Sequence, residues 1–488
     1  MGPEIARVLE YFERISAIPR CSRNEGRIGQ WLREWALGIG YEVSGDPAGN
    51  LVVRVPASPG VAQAPTVVIQ GHMDMVCEKT PDSPHDFHRD PIRCIQDGEW
   101  LRADRTTLGA DNGIAIAYAM ALVEDRSLAH PPLELLFTVD EETGLNGVKK
   151  LAPGLLTGRM MINLDSEDEG VFTIGCAGGR ETNLGLRAAK ESLPSDWKIF
   201  KLVVGGLRGG HSGIDIDKQR GNAIQLLART LARIESETAC RIMSIKGGTR
   251  HNAIARDAEA IIALGGAVED SLKMLAIEME QRFKTEYKVT ETGLSVSVQA
   301  CNPAQAWSFT STDSQRLIRL LLALPHGVAG MSPTLAHMVE TSNNLAKVTS
   351  SEDHIAILCS QRSALVSRLE EITAKVHAVA TLAGATVGEE NQYPPWPPNP
   401  DAFLLSQSQA TYERLFGKAP LIQVIHAGLE CAIIGDRYPG MQMISFGPTI
   451  QSPHSPSERL HIPSVEKVWR FLAALLRDLC SHREAPST

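Results

Sequence analysis

Pro65-Thr66-Val67-Val68-Ile69-Gln70 is a largely apolar run that ends on Gly71-His72-Met73-Asp74. Two more stretches have the same build. Leu133–Val139 (LELLFTV) runs into Asp140-Glu141-Glu142, and Met160–Leu164 (MMINL) runs into Asp165. Short apolar runs bounded by turn-type residues read as buried strands. In an open α/β sheet the ligand crevice lies at the carboxyl ends of the strands. Three such ends, carrying one histidine and several carboxylates, converge on one place. That much negative charge in a crevice is costly unless cations neutralise it. The pattern predicts a metal site with two ions.

The flanking sequence places these strands in a larger plan. Ile5, Val8, Leu9 and Phe12, then Ile28, Trp31, Leu32 and Trp35, recur at helical spacing, so residues 3–40 read as helices. Residues 41–55 read as two strands with a turn at 46–50. Thr106–Asn112 is a loop ahead of an Ala-rich helix, Gly113–Val123. Asp111 sits where a plain N-cap competes with metal ligation as its role. The β–α–β–β order after His72 predicts an α/β layer with a mostly parallel sheet.

Beyond Asp165 and a Gly-rich stretch at 175–179, read as flexible, the texture changes. Strands are expected at Phe200–Val204, Ala258–Leu264 and Gly293–Gln299, with Leu345–Ser350 and His354–Cys359 paired. Helices are expected at Asn222–Ile234, Leu272–Thr285, Asp313–Leu324 and Leu365–Leu382. Such a mixture predicts an α+β domain inserted into the first. YPPWPPNP (393–400) reads as the return linker. The expected segmentation is a catalytic domain from 1–182 and 389–488, interrupted by a smaller lid at 183–388.

Composition narrows the classes. A chain of 488 residues, 43% hydrophobic, supports more than one core, and a net charge of -9 with scattered basic residues argues against nucleic acid. No apolar run reaches a membrane span, and the acid-bearing N-terminus does not read as a signal peptide. The nine cysteines form no CxxC pair, so the expectation is reduced thiols in a cytoplasmic protein, with Cys77 a small buried hydrophobe.

A set of motifs carries a resemblance. In order they are GHMDMVCEK (71–79), HDFHRDPI (85–92), TTLGADNGIA (106–115), DEETGLNG (140–147), INLDSEDEG (162–170), CAGG (176–179), GGHSGIDI (209–216), GGTRHNAI (247–254), IHAGLECAII (425–434) and GPTIQSPHSPSERLHI (447–462). The chain resembles the aminoacyl-histidine (cytosol non-specific) dipeptidases, within the two-metal peptidase family that includes peptidase T, carnosinases and carboxypeptidase G. The HAGLEC block points to the dipeptidase branch.

The resemblance implies two divalent ions, zinc first, with cobalt or manganese as alternatives. It implies that Asp111 bridges them, that His72 and Asp165 complete one site, and that Glu142 and His454 complete the other. Glu141 would be the general base acting on a metal-bridged hydroxide, and Asp74 would orient His72. His211 would stabilise the oxyanion, in some relatives across a dimer. Asn252 and Arg362 would hold the substrate backbone and C-terminal carboxylate, and His426 would contact substrate or support the site. A cis Asp111–Asn112 peptide, a lid that closes and a homodimer through the lid belong to the same expectation.

Two positions depart from the family pattern: Ser457 stands where HSPDE has Asp, and Ala432 where HAGLECG has Gly. The implied activity is hydrolysis of unblocked dipeptides, with Xaa-His dipeptides such as carnosine among the candidates. An amidase of the same fold acting on N-acyl amino acids or tripeptides is the alternative. A non-catalytic binding protein is opposed by the intact ligand set, and a phosphoesterase by the lack of a basic phosphate cradle.

Overall fold

The three runs that end on His72, Asp140–Glu142 and Asp165 are neighbouring parallel strands of one sheet, in the order Leu133–Thr138, Val67–His72, Met160–Asn163. His72 lies opposite Thr138 and Gln70 opposite Asn163, so the chain leaves all three strands at the same edge. Gln442–Ser445 adds a fourth parallel strand beside Met160–Asn163. Leu51–Val55 and Glu42–Gly45 extend the sheet antiparallel on one side; Val171–Cys176 and Leu421–Ile425 extend it on the other, giving eight strands. Every residue of Val67–His72 and Leu133–Thr138 is buried, which is why these strands read as continuous apolar runs instead of alternating ones. This computed structural model describes residues 2–482 except 267–268, 303–306, 334 and 336.

Helices pack on this sheet. Ala110–Glu124 lies on Val67–His72 and against Pro3–Ser16, and is buried along nearly its whole length. Its small residues permit a close approach. A Cβ at Gly71 would fall 2.5 Å from Ala115 Cβ and from Asn112 Oδ1, so only glycine fits there. A small four-stranded sheet, ordered Ile450–Gln451, Arg459–His461, Trp100–Arg102, Ile95–Asp97, anchors both ends of the loop that carries His454.

Contacts divide the chain into two compact units. The first is Met1–Gly175, Trp396–Val424 and Leu429–Thr488; the second is Cys176–Pro395 with Ile425–Gly428. The second holds a nine-stranded sheet whose paired strands run antiparallel throughout, with Val339–Ser350, His354–Ser363, Gly178–Arg187 and Thr386–Tyr393 adjacent in that order. Helices Ala223–Glu235, Glu269–Glu286, Ser311–Ala323 and Val366–Leu382 accompany it, and Phe200, Leu231, Phe283, Leu317 and Val376 share its core. Asn222 caps the first of these helices by accepting from Ile224 N and Gln225 N.

Several expectations need correcting. The Gly-rich stretch at 175–179 is not a free segment, because Gly178–Arg187 is a strand with partners on both sides. Thr386–Tyr393 is also a strand, missed because an exposed edge accepts polar residues and leaves no apolar alternation. Cys21 and Cys77 form a disulfide, so the thiols are not all free. Residues 56 apart in sequence meet because the backbone bridges Cys21 to Met75, a pairing no spacing rule could supply. The other seven cysteines are not in disulfide bonds. Among the described residues no helix is long and apolar enough to cross a membrane.

Candidate active site

Asp111 is the centre of the strand-end cluster. Its Oδ1 lies 3.0 Å from His72 Nε2, and its Oδ2 lies 3.0 Å from His454 Nε2. Asp165 Oδ1 stands 3.4 Å from the same His72 nitrogen, and Glu142 Oε2 stands 3.0 Å from the same His454 nitrogen. One carboxylate is thus shared by two imidazole–carboxylate pairs. His72 is 1% exposed and His454 49%, so one side of the shared group is sealed and the other open.

The local fold frees Asp111 for this position. It opens the helix Ala110–Glu124 with non-helical φ/ψ, and the Asp111–Asn112 peptide is cis. The first-turn N–H groups are not capped by Asp111. Glu458 takes them instead, Oε2 accepting from Leu108 N and Gly109 N at 2.7 and 2.9 Å, and Oε1 from Ala110 N and Asp111 N at 2.8 and 3.3 Å. A helix N-terminus leaves orphan donors and favours a carboxylate. Because Glu458 supplies it, the Asp111 side chain is left to face the histidines. Asn112 braces the same turn, accepting from His72 N and donating to Leu164 O at 2.8 Å. The buried Arg20 guanidinium donates to the carbonyls of Met73, Asp74 and Gly109, tying the His72 strand end to that turn.

The three acids of the second strand end separate clearly. Asp140 turns away: its carboxylate accepts from Thr143 Oγ1 and Asn146 Nδ2. Glu142 faces His454. Asp74, fully buried, accepts from Glu141 N at 3.0 Å, Glu142 N at 3.2 Å and Ser22 Oγ at 2.8 Å, and its Oδ1 lies 3.3 Å from His72 Nδ1. It therefore fixes both the histidine ring and the Glu141–Glu142 turn.

Electrostatics in this cluster are dominated by crowded acids. Burial, reinforced by Glu142, Asp165 and Glu430 and opposed by His72, pushes the Glu141 carboxyl well above the carboxylate range. Burial raises Asp165 to about 6, with His72 opposing and Asp111 adding to it. Burial lowers His454, but hydrogen bonds and charge from Asp111 and Glu142 outweigh it and push the ring up to about 11. Acids held out of water at such spacing call for positive charge. The donor set fits a divalent cation. Donor atoms of His72, Asp111 and Glu142 lie within 4.8 Å of one another, and Glu142 Oε1 is buried without a hydrogen-bond partner.

The second unit gathers the other candidates. His211 Nδ1 accepts from Gly213 N and Ile214 N at 3.1 and 3.2 Å, which assigns the proton of a neutral ring to Nε2. Gly213 lies between His211 and His426: a Cβ there would fall 3.1 Å from His211 Cε1 and 2.2 Å from the His426 carbonyl. His426 is buried, with Nε2 2.8 Å from Ser342 Oγ and Nδ1 unpartnered. Burial, with the Arg362 charge, pushes it down to about 3. Arg362 is 7% exposed; its Nη1 donates to the Tyr393 hydroxyl at 2.8 Å and its Nε has no acceptor. Asn252 is joined to the group through its carbonyl, which accepts from Ser212 N at 2.8 Å.

Neither family departure disturbs these arrangements. Ser457 is exposed and donates its N–H to Ser455 Oγ, and its hydroxyl makes no hydrogen bond to His454. Ala432 sits inside the helix Glu430–Arg437 with φ below zero, where a methyl is at home.

A family model described as peptidase family M20/M25/M40 matches residues 68–478. The chain belongs to that peptidase family. The cytosol non-specific dipeptidase of Escherichia coli strain K12 is 40% identical to this M20/M25/M40 member over 471 residues, covering 96% of this chain and 97% of that protein. The crystal structure of aminoacylhistidine dipeptidase from Vibrio alginolyticus superposes with a TM-score of 0.88 at 39% identity, covering 98% of this chain and 97% of that one. The aminopeptidase PepT structure from Bacillus cereus shares the fold at a TM-score of 0.58 and 17% identity.

Four residues of this family member join the site without a signal in the sequence pattern. Glu458 lies inside the GPTIQSPHSPSERLHI block with nothing to mark it as a helix cap. Arg20 lies outside every motif, and Tyr393 heads the YPPWPPNP stretch that reads as a linker. Glu430, fully buried in the HAGLEC block, accepts from Gln70 Nε2 and Thr138 Oγ1 at 2.5 and 2.7 Å, while Gln70 accepts from Asn163. That network cross-links the three ligand strands beneath their ends, and burial raises the Glu430 carboxyl to about 8.

Proposed function

We propose that this chain is a metal-dependent dipeptidase of the cytosol that hydrolyses unblocked dipeptides, Xaa-His dipeptides among them. The observation that carries the reading is the Asp111 carboxylate, each of whose oxygens faces its own imidazole–carboxylate pair. His72 and Asp165 on one side, Glu142 and His454 on the other, and Asp111 between them would hold two divalent ions. Imidazole and carboxylate donors suit zinc, and also cobalt or manganese. Such ions, when bound, acidify an attacking water and polarise the scissile carbonyl.

The chain's own residues supply the rest. Glu141 takes the proton from the attacking water and returns it to the leaving amine; burial first, and then the acids around it, raise the proton affinity of its carboxyl. Asp74 keeps that turn and the His72 ring in place. In the second unit, His211 presents an N–H at Nε2 to the developing oxyanion, and Asn252 and Arg362 hold the backbone and carboxylate of the dipeptide. The near-full-length likeness to two proteins named as dipeptidases supports this choice over an amidase for acylated or longer substrates.

The test is a panel of dipeptides with matched N-acetylated dipeptides and tripeptides, using chelated protein reloaded with zinc, cobalt or manganese. Cleavage of free dipeptides alone, lost in Glu141→Ala with metal content unchanged, is the expected result. Preferential cleavage of acylated or longer substrates would move the function to the amidase.

A further inference from the structure

Tyr393 ends the strand Thr386–Tyr393, and its ring fills a space that two glycines leave open. A Cβ at Gly179 would lie 2.5 Å from the tyrosine oxygen, and one at Gly428 would lie 2.9 Å from its Cε2. These glycines belong to the CAGG and HAGLEC blocks, so one side chain accounts for both. The sheet register explains the meeting with Arg362. Gly179 is paired with Arg362 on one neighbouring strand and with Tyr393 on the other. Lacking a side chain, it lets the guanidinium and the phenol meet across it, Nη1 donating to the hydroxyl oxygen at 2.8 Å.

The result is a guanidinium whose remaining donors have no acceptor. Among the described residues Arg362 forms no ion pair, and its Nε is buried and unpartnered. The His426 ring is tied to Ser342, the residue paired with Arg362 on the third strand. A buried guanidinium without a counter-ion is costly unless an anion arrives. Because the tyrosine oxygen accepts from Arg362, its own hydrogen remains to be donated.

We propose that Tyr393 is a positioning residue for the C-terminal carboxylate of the dipeptide: it holds one arm of the Arg362 guanidinium and directs its own O–H to the same carboxylate. This rests on the dipeptidase reading. Burial raises the phenol, with the Arg362 charge opposing, so the hydroxyl keeps its proton at neutral pH. The phenyl ring alone satisfies the glycine cradle, so Tyr393→Phe removes the hydroxyl and leaves the packing.

The experiment compares wild type, Tyr393→Phe, Arg362→Gln and the double variant on a dipeptide and on its C-terminal amide, with melting temperature as a check on folding. The expected result for Tyr393→Phe is a KM on the dipeptide raised about tenfold, the size of one hydrogen bond to a charged group, with kcat changed by no more than about twofold. On the amide the substitution has no effect, and in the Arg362→Gln background its effect on KM is smaller than in wild type, because part of it acts through the guanidinium. An unchanged KM on the dipeptide, or the same rise on the amide, overturns the role of Tyr393 while leaving the dipeptidase reading intact. A wild-type enzyme indifferent to amidation of the C-terminus sinks the carboxylate role of Arg362 and that of Tyr393 with it.

Discussion

Asp74 and Glu458 direct their carboxylate oxygens at backbone N–H groups around the ligand strands, whereas Arg362 and His426 each keep a buried nitrogen without a partner. The two clusters face different physical problems. In the first unit several acids stand within reach of one another, and repulsion would spread them if the backbone were free to move. Two of these turns are therefore held by other side chains: Glu458 holds the Asp111 turn and Asp74 the Glu141–Glu142 turn, while Arg20 ties the His72 strand end to the Asp111 turn. In the second unit the chain already has its rigidity from long paired strands. Its Arg362 guanidinium retains donor capacity, which suits a group that must receive a ligand. Substitutions in the first cluster should act on metal retention, and those in the second on substrate affinity.

The largest expected effect is at the shared carboxylate. Asp111→Ala should lose both cations and all measurable peptidase activity, read as metal per chain after dialysis; a variant that keeps two ions removes the basis for the contrast. Next comes Glu458→Gln. An amide NH₂ cannot accept from the N–H groups that the lost oxygen served, so the Asp111 turn loosens. Cation affinity of the chelated protein should fall about 10–100-fold, the range for residues supporting a ligand. Arg362→Gln should leave that affinity unchanged, and an equal loss would erase the distinction between the clusters.

A smaller effect is a pH dependence set by His426. Its folded pKa is lowered to about 3 from the ordinary 6.5, by burial first and by Arg362. Between these values the unfolded chain binds the extra proton, so stability is fully present above pH 6.5 and is lost as pH falls toward 3. Chemical denaturation across that window should show a slope of up to about 1.4 kcal/mol per pH unit that His426→Gln flattens. Smallest is Ser342→Ala, which removes one hydrogen bond to His426 and should cost about 1 kcal/mol without changing metal content.

Much of the architecture could be read from residue pattern alone. Parallel strands buried on both faces are apolar over most of their length, which makes PTVVIQ, LELLFTV and MMINL conspicuous, and the acids at their ends stand out against that background. Amphipathic helices such as Ala223–Glu235 and Glu269–Glu286 showed their period. The polar edge strand Thr386–Tyr393 did not, because an exposed strand has no apolar face to advertise. The Cys21–Cys77 link also gave no sign, since pairing over that distance depends on where two loops are brought by the fold.

The sequence by itself determined that one histidine and several acids would meet at strand ends, because strand direction and burial follow from local composition. Only the tertiary structure decided which partner each acid faces. Asp140, Glu141 and Glu142 are chemically near-equivalent neighbours, and they separate only because Asp140 is bound to Thr143 and Asn146 while Asp74 holds the next two N–H groups. In the same way a glutamate 347 residues away, not Asp111 itself, caps the helix that Asp111 begins. Orientation is set by hydrogen bonds between distant segments, and no local pattern encodes those.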